Sequence, residues 1–281
     1  MAAAAAAPMV GVTAKEDAMP RTRTTGLLEP SIRLRGDAAD GHRERAMAKL
    51  RAACMSAPRP VILGRLELAT EPDPAVERPA IAKATIDVDG QLVRAHVACR
   101  TMDQAIDLLA ARVRRNIRAL AARRRDLERR PRGAGGGVWR HDHEPAHRPE
   151  HRARPVADRR LARRKSLPVA RVTPEQAAFD MRMLDHDFHL FTDAATGTDC
   201  LIHRTADGGL ALVSADPGAC GAPAGPPVAP AIPMEVGDAL AALDATDGPF
   251  VAFVDPDRGR LMVAYRRYDG HYGLLGPADR Y

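Results

Sequence analysis

Between residues 102 and 125 the hydrophobic positions Met102, Ile106, Leu109, Val113, Ile117 and Leu120 recur every three or four residues, which keeps them on one stripe of an α-helix. Thr101 stands where an N-cap belongs, Asp103 and Asp107 suit the positive end of the helix, and arginines crowd its negative end. At about 100° per residue, Arg112, Arg115 and Arg118 fall on the far side from the stripe, with Arg114 at the edge. Arg123, Arg124 and Arg125 carry the charge off the end. The pattern predicts a helix with one face for a core and the other for water or something acidic.

Upstream, residues 1–29 are alanine-rich, then polar, without sustained periodicity, and read as a disordered tail. SIRLR at 31–35 alternates as a short strand and carries Arg33 and Arg35. A helix follows over 40–54, with Met47, Leu50 and Cys54 on one face and His42, Arg45 and Lys49 on the other. Pro58 and Pro60 break the chain before a strand at 61–69, and strands at 80–88 and 91–99 flank the hairpin signal Asp89-Gly90. The order βαβββα over residues 30–125 predicts an α+β domain. Placing both helices on one face of the sheet would gather Arg45, Lys49, Arg112, Arg115 and Arg118 on a single cationic surface.

Residues 126–168 hold GAGGG at 133–137 with repeated Pro and Arg, and read as a flexible basic linker. His141, His143, His147 and His151 fall here without a cysteine or an ordered scaffold beside them, so no metal site is expected. Beyond it the sequence repeats at an offset of 62, matching Phe188 with Phe250, Phe191 with Phe253, Asp193 with Asp255, Gly197 with Gly259, Arg204 with Arg266 and Leu212 with Leu274. Leu184 and Asp185 align with Leu243 and Asp244, which implies three residues inserted in the second copy. Each copy, 169–217 and 226–281, reads as a short helix and three strands. A unit of about 45 residues buries too little to stand alone, so each needs its sister copy or another chain. Phe188, Phe191, Phe250, Phe253, Met262, Tyr265, Tyr268 and Tyr272 are the candidate association residues.

Charge sharpens this picture. Of 281 residues with a net charge of +6, the stretch 123–165 contains fifteen Arg or Lys against six Asp or Glu, a local +9. So localised a basic block is the footprint of a nucleic-acid or acidic-membrane partner. The preference for arginine over lysine suits phosphate contacts, although a GC-rich genome accounts for the larger share of it. All five Phe and all four Tyr lie after residue 178, and residues 1–138 have no aromatic residue at all. An RNA-binding role for the N-terminal domain must therefore use phosphate and shape rather than base stacking.

Cys54, Cys99, Cys200 and Cys220 show no CxxC spacing and read as structural thiols in a reducing compartment. MAAAAAAPMV lacks the basic n-region of a signal peptide and is too short to span a bilayer, so the expectation is a cytoplasmic protein without a membrane partner. There is no Walker loop, GxSxG elbow or HExxH, and the cluster Asp185, His186, Asp187 and His189 is interrupted by Phe188. Neither an enzyme nor a cofactor is expected.

The stretches VERPAIAKATIDVDGQLVRAHVACRTMDQAIDLLAARVRRNIRALAARR, MLDHDFHLFTDAATG and GRLMVAYRRYDGHYGLLGP together resemble the long-form ribosome hibernation promoting factors, or sigma-54 modulation family. Within that family the chain looks most like the actinobacterial dormancy-associated translation inhibitors. The resemblance implies an N-terminal domain docked on 16S rRNA in the decoding channel of the small subunit, where it excludes mRNA and tRNA. By position, the RNA-binding candidates are Arg33, Arg35, Arg45, Lys49, Arg112, Arg114, Arg115, Arg118, Arg123, Arg124 and Arg125. In similar long proteins the C-terminal module pairs between chains and joins two ribosomes. Here it occurs twice, so the partners are the small subunit and the 70S ribosome, with either a homodimer through the modules or an internal pseudo-dimer. The rival reading is a general nucleic-acid-binding or transcription regulator with a self-association module.

Overall fold

Alternation in the first three long strands decides the layout of the N-terminal half. In a computed structural model, which describes residues 31–35, 41–129, 149, 151–220, 225–246 and 248–278, this half runs β1 (Ser31–Arg35), α1 (Arg43–Cys54), β2 (Val61–Thr70), β3 (Ala80–Val88), β4 (Gln91–Cys99) and α2 (Met102–Arg129). The tail 1–29, the run GAGGG and His141, His143 and His147 lie outside the described residues. The sheet order is β1-β2-β3-β4, with β1 parallel to β2 and the remaining pairs antiparallel. Asp89 and Gly90 both take positive φ, 54° and 85°, as a type I′ hairpin requires. Ala82, Ala84, Ile86, Val93, Ala95 and Val97 bury one sheet face under Leu50 and Ala53 of α1 and the stripe of α2. Small residues on the sheet let both helices lie close. The Gln104 N–H donates to Thr101 Oγ1 at 3.3 Å, which makes Thr101 the cap of α2. The helix runs to Arg129, past the expected end at 125.

The C-terminal half contains β5 (Leu161–Leu167), β6 (Arg171–Val172), α3 (Pro174–Met183), β7 (Phe188–Asp193), β8 (Asp199–Arg204) and β9 (Leu210–Ser214). Then come β10 (Val228–Pro230), β11 (Ile232–Pro233), α4 (Val236–Ala245), β12 (Phe250–Asp255), β13 (Arg260–Arg266) and β14 (Tyr272–Pro277). They form two five-stranded sheets, β10-β9-β8-β7-β6 and β11-β12-β13-β14-β5. The three central strands of each are antiparallel hairpins, as expected, but every flanking strand is parallel to its neighbour. The three-strand reading of each module is corrected to five.

The extra edges are exchanged. β5 precedes the first module yet closes the sheet of the second against β14, and β10, which opens the second module, closes the sheet of the first against β9. Part of the expected linker is thus a strand, because edge pairing uses backbone groups and asks no apolar pattern of the side chains.

The helices correct the expected insertion. α3 buries Ala177 and Met181 on its sheet, and α4 buries Ala239 and Leu243 on the other. These pairs lie 62 residues apart, like the strands, so nothing is inserted between the helices. The cysteine reading also changes. Cys200 and Cys220 form a disulfide, whereas Cys54 and Cys99 are free and buried, and burial pushes the Cys54 thiol up to about 11. Among the described residues, no helix is long and apolar enough to cross a membrane.

Candidate functional site

Arg123 aside, the arginines of α2 divide into three groups. Arg115, Arg118, Arg125 and Arg129 are exposed and fall within one arc of the helix. Arg114 is half-buried, and Arg124 approaches Asp89 of the hairpin at 3.8 Å. Arg112 does not belong to the outward face and corrects the helical-wheel expectation. It is 2% exposed, donates from Nη1 to the His96 carbonyl at 2.9 Å, and lies 3.5 Å from the Asp185 carboxylate. At 100° per residue Arg112 stands about 100° from the centre of the stripe, at its edge like Arg114, and from there it meets a partner arriving from another part of the chain.

On α1 the expected cations already have carboxylates. Arg45 pairs with Asp103 at 3.2 Å and Asp107 at 2.8 Å, and Lys49 pairs with Asp107 at 3.0 Å. Hydrogen bonding from Lys49 leads the effects that hold the Asp107 carboxyl below its ordinary value. Because these pairs are exposed, each contributes little to stability. Arg33 and Arg35 lie in β1, in register with Glu67 and Ala69 of β2.

Arg123 is engaged elsewhere, at the joint between the two halves. It donates to Gln176 Oε1 at 2.6 Å, and its guanidinium lies 4.4 Å from the centre of the Phe179 ring. Phe179 and Met183 of α3 join the N-terminal core, while Ala177 and Met181 on the opposite side of the same helix join the first module's core. Past α3 the chain turns through Asp185 at φ 53°. The Asp185 and His186 N–H groups close back onto the Arg182 and Met181 carbonyls, a Schellman ending. This turn aims the Asp185 carboxylate at the free edge of β4, where it accepts the His96 N–H at 2.7 Å. Arg112 and Asn116 donate to the carbonyls of His96 and Arg94 on the same edge. The edge is thereby closed to strand addition.

The two modules face each other across a second apolar layer. Leu190, Leu201 and Val213 of the first sheet meet Ala252, Val254, Leu261, Val263 and Leu275 of the second, with Ala231 of the connector buried among them. The Phe188 and Phe250 ring centres are 4.9 Å apart, and Tyr265 lies 5.9 Å from Phe188. Of the eight candidate association residues, only these three sit at the contact. Phe191, Phe253, Met262 and Tyr272 fill the cores beneath α3 and α4. Tyr268 stacks on His151 and meets His96 edge-on, so it touches the N-terminal half.

Arg152, Arg154, Arg159 and Arg266 line a cavity of 560 Å³ beside that stack. Arg152 pairs with Glu71 and Arg159 with Asp244, while Arg154 and Arg266 donate to backbone carbonyls. Its charge is largely committed inside the chain.

Residues 157–212 and 229–274 each match the domain family described as Sigma 54 modulation/S30EA ribosomal protein C terminus. The first match takes in β5. The dormancy associated translation inhibitor of Mycobacterium tuberculosis is 40% identical over 142 residues, which cover 46% of this chain and 52% of that protein. The chain thus spans about half the length of that relative. The ribosome hibernation promotion factor of Lactococcus lactis subsp. cremoris is 28% identical over 142 residues, covering 50% of this chain and 74% of that protein. The N-terminal domain of Thermus thermophilus Protein Y aligns at 17% identity with a TM-score of 0.28, over 33% of this chain and 99% of that structure, a score too low to argue from. The family's C-terminal domain is thus matched twice, over 157–212 and 229–274, in a chain similar to a dormancy associated translation inhibitor and a ribosome hibernation promotion factor.

Proposed function

We propose that this protein is a cytoplasmic ribosome hibernation factor. Its N-terminal domain binds 16S rRNA of the small subunit in the decoding channel, blocks mRNA and tRNA, and holds single 70S ribosomes inactive under stress or dormancy. The observation that carries the reading is an outward arginine arc, Arg115, Arg118, Arg125 and Arg129, on a domain without aromatic residues, joined to a doubled S30EA-type C terminus. Guanidiniums spaced along one helix face suit the phosphates of folded RNA and need no base readout. The internal packing of the modules supports the 70S part, since the surface that would join two chains is occupied by the sister module. Pairing within a chain is favoured by effective concentration.

Sedimentation of purified ribosomes with the protein on sucrose gradients tests this. The expected result is co-migration with 30S and 70S particles without a 100S peak. Absence from every ribosomal fraction would overturn the reading and favour a nucleic-acid regulator. Replacing Arg115, Arg118 and Arg125 together by Glu should abolish co-migration while the circular dichroism spectrum is unchanged. Arg112 is left intact in this variant because its loss would disturb the fold.

A further inference from the structure

The contact between the modules has the form of a two-fold homodimer folded into one chain. Phe188 and Phe250 occupy matched positions and touch each other, as residues near a dimer axis do. Leu201 and Val263, and Val213 and Leu275, are likewise matched positions that both fall in the layer between the modules. One contact breaks this symmetry. Asp199, buried at the start of β8, accepts two hydrogen bonds from Arg260, Nε to Oδ2 at 2.6 Å and Nη2 to Oδ1 at 3.2 Å. At the offset of 62, the match of Asp199 is Leu261 and the match of Arg260 is Thr198. The ion pair is therefore made once, and its symmetry-related position holds a threonine and a leucine.

We propose that Asp199 and Arg260 sort the pairing, so that a first module accepts a second module and refuses another first module. This deepens the reading of a factor that holds single ribosomes, by naming what keeps its modules from pairing like with like between chains. Two first modules brought together would set each Asp199 against Thr198 and leave two buried carboxylates without a cation. Two second modules would set each Arg260 against Leu261. Burying the Asp199 carboxylate without a cation is strongly unfavourable, so the mixed pair is preferred chiefly through Asp199, Arg260 being only half-buried. The apolar layer drives association without choosing the partner, since Phe188 and Phe250, like Leu201 and Val263, are near-equivalents. The connector adds to the choice, because β10 pairs with the first sheet and β11 with the second, one residue apart on either side of Ala231.

Cysteine cross-linking of the full-length protein without ribosomes tests this, so its outcome is independent of ribosome binding. Phe188→Cys alone can form a covalent dimer at the contact only when two first modules meet, and it is compared with the unsubstituted chain. With Asp199 and Arg260 in place, oxidation should give no dimer above that background, and the double variant Phe188→Cys/Phe250→Cys should close within one chain. Adding Asp199→Leu with Arg260→Thr makes the two edges alike and should raise the Phe188→Cys dimer yield at least tenfold. Exchanging the charges, Asp199→Arg with Arg260→Asp, should return the yield to background, and this also controls for misfolding. An abundant Phe188→Cys dimer with the native pair present, or no rise once the pair is removed, overturns the proposal. So does a charge-exchanged protein that dimerises like the neutral one.

Discussion

The two modules keep the same inner helix face and differ on the outer one. Ala177 and Met181 of α3 and Ala239 and Leu243 of α4 press on their sheets in the same way. On the opposite side, α3 carries Phe179 and Met183, buried against the N-terminal core, where α4 carries the exposed Ala241 and Ala245. The first module is a joint and the second is a cover. Duplication supplied a pair that could bury its own association surface, and divergence of two outer positions docked only the first module's helix on the N-terminal core, while the second module reaches that half through Tyr268, edge-on to His96.

The largest test of that asymmetry is Asp185→Ala, which removes the carboxylate beside the buried Arg112 guanidinium and the acceptor of the His96 N–H. We expect a loss of about 3–5 kcal/mol at the joint, seen as faster hydrogen exchange along β4 and a split denaturation curve. Asp244→Ala in the second module removes acceptors from Arg159 and the Tyr272 hydroxyl and should cost less, about 1.5–3 kcal/mol. Equal losses would erase the distinction. Phe179→Ala should destabilise by about 3 kcal/mol in urea titration, whereas Ala241→Phe at the matched exposed site should stay within about 0.5 kcal/mol.

A smaller effect is expected where the sheets differ. A Cβ on Gly273 of β14 would collide with the Tyr265 ring, whereas in the first module the matched residues are Ala211 and His203. Gly273→Ala should therefore lower stability by about 2 kcal/mol. The smallest concerns pH. Burial depresses the His189 pKa, partly opposed by Asp180, and the matched residue is Val251. A depressed histidine contributes stability that is present above its unfolded value of about 6.5 and lost as pH falls through the folded value. Burial raises Asp180, which therefore acts in the opposite sense and at lower pH, contributing below about 4 and losing that contribution as pH rises. Melting followed from about pH 7 to 5 should show the decline, and His189→Val should flatten it.

What the sequence made legible follows from how each element earns its place. α2 was readable because six apolar residues at helical spacing face a single core. The hairpin at Asp89-Gly90 and the cap Thr101 were readable because their chemistry is local. β5 was not, because LARRKSL is an edge strand exposed at nearly every position, with no alternation to detect. The burial of Arg112 was equally hidden, since it depends on Asp185, 73 positions away. α3 did carry a signal that was missed. Apolar residues on opposite sides of one short helix, Ala177 and Met181 against Phe179 and Met183, mark an element packed from both directions.

The exchange of β5 has a consequence for synthesis. Leu161 leaves the ribosome long before its partner Tyr272, the first residue of the last strand, has been translated. Until then, an arginine-bearing strand waits without its ladder, and so long a separation makes its closure a late folding event. A chain terminated early cannot complete the second sheet or bury the layer between the modules. The fold thus distinguishes finished from unfinished copies of itself, and only a finished copy carries its association surface hidden.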